Sequence, residues 1–271
     1  MPELPEVETV RRGLAPYLIG HPLLGARVRE SRLRWPVPAD LDALVAGRRV
    51  ERLERRGKYL IMALDHGHLI LHLGMSGSLR LTPAATPPGK HDHLDLILAD
   101  GQVLRYRDPR RFGAVLWSEA PGQHPLIARL GIEPFNPAFD GDWLYDASRG
   151  LRTAVKSWLM DAHVVVGIGN IYANEALFHA GIHPLLPAGR LSRPRCRRLA
   201  AAIRDTLSRA IEAGGSSLRD FVNGHGEPGY FQQTYYVYGR EGEPCRTCGT
   251  RLRLHRLGNR ATSFCPVCQK K

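Results

Sequence analysis

Apolar positions near the start of the chain fall at helical spacing: Leu4, Val7, Val10, Leu14 and Leu18 recur at steps of three and four. That period predicts an amphipathic helix. Beyond it the texture becomes strand-like. Short apolar or alternating runs at 27–32, 58–64, 68–73, 93–98, 103–107 and 114–117 have the length of strands. Asp100-Gly101 lies between two of them as a hairpin signal. The stretch from Thr82 to Gly89 is rich in proline and alanine and reads as a loop. Many short strands with close turns predict an antiparallel β-sandwich, with a barrel as the alternative.

A connector rich in Pro, Gly and Asp follows at 121–150, and the period then becomes helical. Helices are expected over 153–161, 170–180 and 192–213. Ser192 is placed to cap the last of these, and Leu199, Ile203, Leu207 and Ile211 give it an apolar stripe. Gly181 and Gly214 stand where helices end on glycine. A third texture, dense in cysteine and arginine, begins near Tyr236. The chain therefore reads as α+β: a sandwich domain with an N-terminal helix over 1–120, a connector over 121–150, a helical domain over 151–235 and a small ribbon over 236–271.

Composition narrows the function. Of the 271 residues, 43% are hydrophobic and 24% charged, the balance of a packed globular protein rather than a disordered one. No apolar run approaches the roughly 18 residues of a membrane helix. The opening MPELPEVETV carries acids where a secretory signal would be basic and then apolar, so a cytoplasmic protein is expected. The net charge of +12 points to a polyanionic partner, nucleic acid above all.

Four of the five cysteines, Cys245, Cys248, Cys265 and Cys268, form C-x2-C-x16-C-x2-C. Each C-x2-C turn can aim two sulfurs at one metal, and four thiolates fill a tetrahedron, so the pattern predicts one structural zinc. Two disulfides are the alternative, disfavoured in a chain without an export signal. Cys196, alone in a helical stretch, reads as a small packing residue.

Other residues carry candidate chemistry. Met1-Pro2 would give a free secondary amine if the methionine is removed. An α-amino group titrates at about 7.7–8.0, so much of it is neutral and nucleophilic near neutral pH. Its adduct with a sugar C1′ is an iminium with no N–H proton to lose. Glu3 stands beside the amine, and Glu6 one turn on. Taken alone the dipeptide is commonplace. Lys58 follows Arg55-Arg56-Gly57 at the start of an apolar run and suits a phosphate or a solvated strand end. Met75 on a Gly-rich turn and Phe112 beside Arg110-Arg111 have the chemistry of a base-step wedge, although core packing is the commoner fate of both types. His91 on a loop can touch phosphate. The run 164–168 reads as a strand leading through a glycine turn to a helix start at Asn170, where backbone amides can hold an anion.

In order along the chain, PELPEVET, RRGKYL, HLGMSGSLR, KHDHLDL, DPRRFG, WLMD, VVGIGNIYANE and PGYF…VYGR…PCRTCGT span its whole length. This set closely resembles the formamidopyrimidine-DNA glycosylase family of bifunctional base-excision repair enzymes. The resemblance implies a helix-two-turn-helix in the helical domain, a zinc finger and a monomer acting on damaged duplex DNA. It implies that Pro2 is the Schiff-base nucleophile, Glu3 the acid that protonates the sugar, and Lys58 a base needed for excision and β-elimination. Arg260 matches a residue of δ-elimination and phosphate contact. His91, Arg110 and Asn170 match DNA contacts, and Met75, Arg110 and Phe112 match the trio that fills the gap left by a flipped nucleotide. The stretch from Ser216 to Phe231 matches a loop that closes over the flipped purine. Where some relatives carry a phosphate-contacting lysine this chain has Leu151, so Arg152 is the substitute, with Arg149 the other choice. Two further readings remain: the related endonuclease VIII branch, which prefers oxidised pyrimidines, and a non-catalytic lesion binder. Leu4-Pro5 and the long loop before Gly229-Tyr230-Phe231 favour the purine branch.

Overall fold

The computed structural model describes residues 1–215 and 234–271. The loop expected at 216–231 lies outside the described residues. The chain forms two compact units, and no described helix is long and apolar enough to cross a membrane. One unit holds 1–129 and, of the described residues, 211–215; the other holds 130–210 and 234–271.

In the first unit, helix α1 (Leu4–Leu18) buries the expected stripe of Leu4, Val7, Val10, Leu14 and Leu18. Its first turn is closed by Glu6, whose carboxylate accepts the Glu3 backbone N–H at 2.8 Å. Strand β1 (Leu23–Val28) and the short helix α2 (Leu41–Val45) follow. Seven more strands come next: β2 (Val50–Arg56), β3 (Tyr59–Leu64), β4 (His68–His72), β5 (Ser78–Pro83), β6 (Asp92–Leu98), β7 (Gln102–Arg107) and β8 (Ala114–Ser118). They make two antiparallel four-stranded sheets, ordered β1-β6-β7-β5 and β2-β3-β4-β8. Leu23, Leu60, Met62, Leu69, Leu96, Leu104 and their neighbours fill one core to which α1 contributes its apolar face. This is the expected sandwich, and Asp100-Gly101 turns the β6–β7 hairpin with Asp100 accepting the Gln102 N–H at 3.0 Å.

Three strand expectations need correction. The strand expected at 27–32 runs instead over Leu23–Val28, because the buried face there is Leu23 and Ala26. Past Val28 the charged side chains take local partners, Arg32 with Glu30 at 2.8 Å and Arg29 with Asp95. Strand β2 is too charged to show in the pattern, and only Val50 and Leu53 face the core. The loop at 82–89 begins two residues late: β5 extends to Pro83, which an edge strand paired only with β7 tolerates.

The expected connector is not all loop: it begins, in the first unit, with a 3-10 turn (Pro121–Gln123) and α3 (Pro125–Ala128). In the second unit Asp140 then caps α4 (Gly141–Ser148), accepting the Trp143 N–H at 2.8 Å. Helices α5 (Val155–Leu159), α6 (Asn170–His179) and α7 (Arg193–Glu212) follow, with α5 shorter than the expected 153–161. Ser192 directly precedes α7, whose Leu199, Ile203 and Leu207 are buried. Gly181 ends α6 at φ +69°: its N–H donates to Phe178 O at 2.9 Å, and the Ile182 N–H reaches Leu177 O at 3.0 Å. The apolar run 164–168 is buried but forms no strand. Its bridge is Val165 with Ile132, where the Ile132 N–H donates to Val164 O and the Val166 N–H to Ile132 O, both at 3.0 Å. The chain closes on a two-stranded hairpin, β9 (Arg253–Leu257) and β10 (Arg260–Phe264), turned by Gly258-Asn259.

One ion cluster fastens α1 to β2. Glu8, 8% exposed, accepts from Arg11 and Arg12 at 2.8 Å and lies 3.3 Å from Arg55 Nε. Burial pushes this carboxyl up, but the hydrogen bonds from Arg11 and Arg12 and the charges of Arg11 and Arg55 win and hold it at about 2. A depressed carboxyl contributes stability above its unfolded value near 4.5, and that contribution is lost as the pH falls toward about 2. Urea midpoints should therefore show Glu8→Gln less stable than the parent at pH 6, by about 1 kcal/mol after allowing for solvent screening. The gap should narrow below pH 4.5 and close as the pH falls through about 2. A gap that is the same at both pH values would remove Glu8 from this role.

Candidate functional site

The start of the chain is buried in the first unit. Pro2 and Glu3 have almost no exposed surface, Glu3 at 2%. The α-amino group of Met1 is held below its ordinary value, first by burial and further by the charges of Lys58 and Arg110, while Glu3 and Glu6 pull it back up. Four elements thus converge on the amino end: the α1 cap, α1 itself, the turn before β3 and the loop after β7. Lys58 is not on a strand but on the two-residue turn Gly57-Lys58 between β2 and β3. Arg55, fastened to Glu8, donates to Gly57 O at 3.1 Å and so ties this turn back to α1.

Two neighbouring turns present Met75 and Phe112, which are 41% and 44% exposed, as large apolar side chains held out of the core. The Arg110 guanidinium stacks on the Phe112 ring at 4.7 Å. Beside them opens a cavity of about 530 Å³ lined by Arg32, Arg34, Arg110, Arg111 and Phe112. Glu30 neutralises Arg32 and Arg111, at 2.8 and 3.3 Å. Behind the Met75 turn, His72 Nδ1 accepts the Gly74 N–H at 3.1 Å. Burial, then the charges of Lys58 and Arg34, push this imidazole down to about 4, so it stays a neutral acceptor. His91 is half-buried on the loop before β6, and its carbonyl accepts the Asp108 N–H at 3.1 Å.

In the second unit Asn170 opens α6. Its Oδ1 is buried and has no hydrogen-bond partner among the described residues, which leaves it an acceptor at the helix N-terminus. Arg152 is exposed on the segment entering α5. Arg260 is exposed directly after the hairpin turn and lines a cavity of about 230 Å³ with Lys156, Met160 and Asp161.

Three residues that hold this region were not singled out in the sequence. Lys156, 1% exposed, donates to Ala261 O at 2.7 Å and Thr262 Oγ1 at 2.8 Å, next to Arg260. Asn174 accepts the Ser263 N–H at 3.1 Å. Glu175 accepts three consecutive backbone N–H groups, of Tyr236, Val237 and Tyr238, at 2.8–3.0 Å. Burial raises the Glu175 carboxyl, and those three donors and Arg240 work against the rise. The available signal was charge inside apolar helices, Lys156 within TAVKSWLM and Glu175 within NIYANEALF.

The four cysteines come together as expected. Their ligand atoms all lie within 4.8 Å of one another, with Cys245–Cys268 at 3.9 Å and Cys248–Cys265 at 3.5 Å. Zinc–sulfur bonds of about 2.3 Å in a tetrahedron require edges of about 3.8 Å, so the donor set fits. The Thr247 and Cys268 N–H groups donate to the sulfurs of Cys245 and Cys265 at 3.4 Å each, which suits thiolates.

Three family models match in chain order: the formamidopyrimidine-DNA glycosylase N-terminal domain over 1–115, its H2TH domain over 130–222, and a zinc finger found in FPG and IleRS over 242–271. This is the signature of a zinc-finger DNA glycosylase. The formamidopyrimidine-DNA glycosylase of Stutzerimonas stutzeri is 58% identical over 270 residues, covering all of both chains. The MutM (Fpg) structure from Thermus thermophilus is 38% identical with a TM-score of 0.89, covering 99% of this chain and 98% of that one. The Lactococcus lactis Fpg, 36% identical with a TM-score of 0.91 over the full length of both chains, was solved with DNA containing N7-benzyl-Fapy-dG and with DNA containing an oxidised pyrimidine. The chain belongs to the formamidopyrimidine-DNA glycosylase family, and its four cysteines form the site of one zinc ion.

Zinc supplies folding free energy to so small a ribbon. Cys248→Ser should leave less than one zinc per chain by atomic absorption. Hydrogen exchange over 242–271 should accelerate at least tenfold, since the closed site is lost. Stoichiometric zinc in that variant, with unchanged protection, would mean the fourth thiol is dispensable.

Proposed function

We propose that this protein excises oxidised purines, 8-oxoguanine and formamidopyrimidines, from duplex DNA and then nicks the strand by β,δ-elimination. The observation that carries the reading is the amino end of the chain, buried beside Glu3 and within the electrostatic reach of Lys58 and Arg110. With Met1 attached, the Pro2 nitrogen is an amide and has no nucleophilic lone pair. With Met1 removed it is a secondary amine in that same polar pocket, where burial favours the neutral, attacking form.

The steps follow from that chemistry. The Pro2 nitrogen attacks C1′, the C1′–N bond to the base breaks, and the base leaves with the electron pair and takes up a proton. Glu3 delivers a proton to the sugar oxygen as the ring opens, which gives a cationic iminium. With no N–H proton to lose, the cation persists and acidifies C2′. Loss of a C2′ proton, with Lys58 as the assisting base, expels the 3′ phosphate. A second elimination, assisted by Arg260, expels the 5′ phosphate. His91, Asn170 and Arg152 bind backbone phosphate, while Met75, Arg110 and Phe112 occupy the place of the extruded nucleotide. Zinc orders the ribbon that carries Arg260 and takes no part in bond making, since its four positions are filled by sulfur. The protein works as a monomer on nucleoid DNA in the cytoplasm, and binding weakens with salt as phosphate contacts dictate.

A second substrate class has one observation in its favour. The Lactococcus relative has been seen with oxidised-pyrimidine DNA as well as with a formamidopyrimidine adduct. Comparing cleavage of 8-oxoguanine opposite cytosine with cleavage of thymine glycol decides between them, and faster cutting of thymine glycol overturns the purine assignment.

Three further outcomes are expected. Mature protein should form a borohydride-stable crosslink to abasic DNA, and protein retaining Met1 should not. Glu3→Gln should lose at least a hundredfold in base excision, the size of a general-acid contribution, with a much smaller loss on abasic DNA. A crosslink formed at the normal rate with Met1 in place would move the nucleophile elsewhere, with Lys58 the first suspect. Phe112→Ala should slow cleavage of damaged duplex more than cleavage of a single-stranded abasic site, where little stacking is lost. Equal losses on both would count against a wedge.

A further inference from the structure

We propose that Asp108, which carries no reacting atom, is the positioning residue that fixes Met75, Arg110 and Phe112 as one rigid wedge. The inference deepens the functional reading above and rests on it. Asp108 directly follows β7 and is completely buried. Its carboxylate holds two separate turns. Oδ1 accepts from Ser76 Oγ at 2.8 Å, next to Met75, and from the Arg110 backbone N–H at 3.3 Å. Oδ2 accepts from the Gly113 N–H at 2.8 Å, next to Phe112. The Arg110 N–H also lies 3.2 Å from Ser76 Oγ, which closes a triangle between the two turns.

The Asp108 backbone extends the same hub. Its N–H donates to His91 O at 3.1 Å, and its carbonyl accepts the Arg111 N–H at 3.1 Å and His93 Nε2 at 2.7 Å. Met75, His91, Arg110 and Phe112 are therefore each one residue or less from a group that Asp108 holds.

The turns are also in direct backbone contact. A Cβ on Gly74 would meet Gly113 N and Phe112 C at 2.5 Å, and one on Gly113 would meet the Tyr106 hydroxyl at 1.7 Å. Arg111 lies between the two wedge residues Arg110 and Phe112 in the left-handed region, at φ +57°. A non-glycine residue keeps such a conformation only where its surroundings over-determine it, and the hub does so.

The physical need is plain. Met75 and Phe112 are exposed, so burial cannot fix them in the free protein. Displacing a stacked base costs a few kcal/mol, and a loose wedge would lose more on ordering itself. Three hydrogen bonds accepted by a single carboxylate, two of them buried, fix the wedge before DNA arrives.

The test compares mature parent, Asp108→Ala, Asp108→Asn and Ser76→Ala on two substrates, a duplex with 8-oxoguanine and a single-stranded abasic site that has no stack to invade. A 2-aminopurine beside the lesion reports invasion. Asp108→Ala leaves its three donors without their acceptor, so invasion and duplex cleavage should fall about tenfold or more, while the single-stranded site is cut within about twofold of the parent. Asp108→Asn should restore most of the duplex rate, because its oxygen can accept from Gly113 and its amide can donate to Ser76 Oγ. Ser76→Ala, which keeps the carboxylate, should fall between parent and Asp108→Ala, and it carries the test if Asp108→Ala does not fold. Parental invasion in Asp108→Ala overturns the proposal, as does an equal loss on both substrates, and as does parental invasion by Ser76→Ala where the alanine at 108 is unfolded. A parent that cuts neither substrate overturns the functional reading and the wedge with it, whereas a parent that cuts both, beside unchanged variants, overturns the wedge alone.

Discussion

A carboxylate taken out of water must find its donors in the protein, and in this chain that constraint organises nearly every functional loop. Glu6 closes the first turn of α1 by accepting the Glu3 N–H. Glu8 gathers three arginines at the joint of α1 and β2. Asp108 joins two turns, and Glu175 collects three backbone N–H groups in succession. Each is an acid whose partners lie on segments that would otherwise carry unsatisfied polar groups. Removing the acid strands those donors, a cost of roughly 1–3 kcal/mol for each group.

Glu3 and Glu6 cap the first turn of α1 reciprocally, whereas Glu8 gathers arginines. Glu6 and Glu8 are occupied by hydrogen bonds inside α1 or to β2, and both lie within two turns of Glu3. Glu8 offsets one of the three positive charges that Arg11, Arg12 and Arg55 bring to it, and Arg32 and Arg111 share Glu30. Lys58 and Arg110 instead act on the amino terminus, where a nearby positive charge favours the unprotonated amine. In a chain of net charge +12, the few buried carboxylates decide where the arginines gather.

Periodicity made the sandwich and the long helices legible, because α1, β3, β4 and α7 bury continuous apolar stripes. It failed where burial is one-sided and brief. Strand β2 shows the core only Val50 and Leu53, and α4 was concealed in a connector that reads as loop. It also misread 164–168, where apolar residues are buried without a ladder. At the site, the zinc ligands could be read from spacing alone, since four sulfurs at one metal impose it. Pro2, Glu3 and Lys58 needed the family resemblance, because a dipeptide and a lone lysine carry no spatial information. Asp108 and Glu175 stayed hidden for a different reason. Most of their partners are backbone N–H groups, so even where the charge stands out, as for Glu175 in its apolar helix, the sequence does not say what it holds.

The two sheets also carry open edges, and each edge is a row of unpaired backbone groups that another chain could extend. Three of the four edge strands spoil that template. β1 and β2 each contain a register break, β2 turns Glu51, Arg52 and Glu54 outward, and β5 ends on Pro83. Of these four edge strands only β8 has neither a register break nor a proline. One intact edge can pair with one other copy and then offers nothing further to extend, so pairing through these two sheets does not propagate from copy to copy.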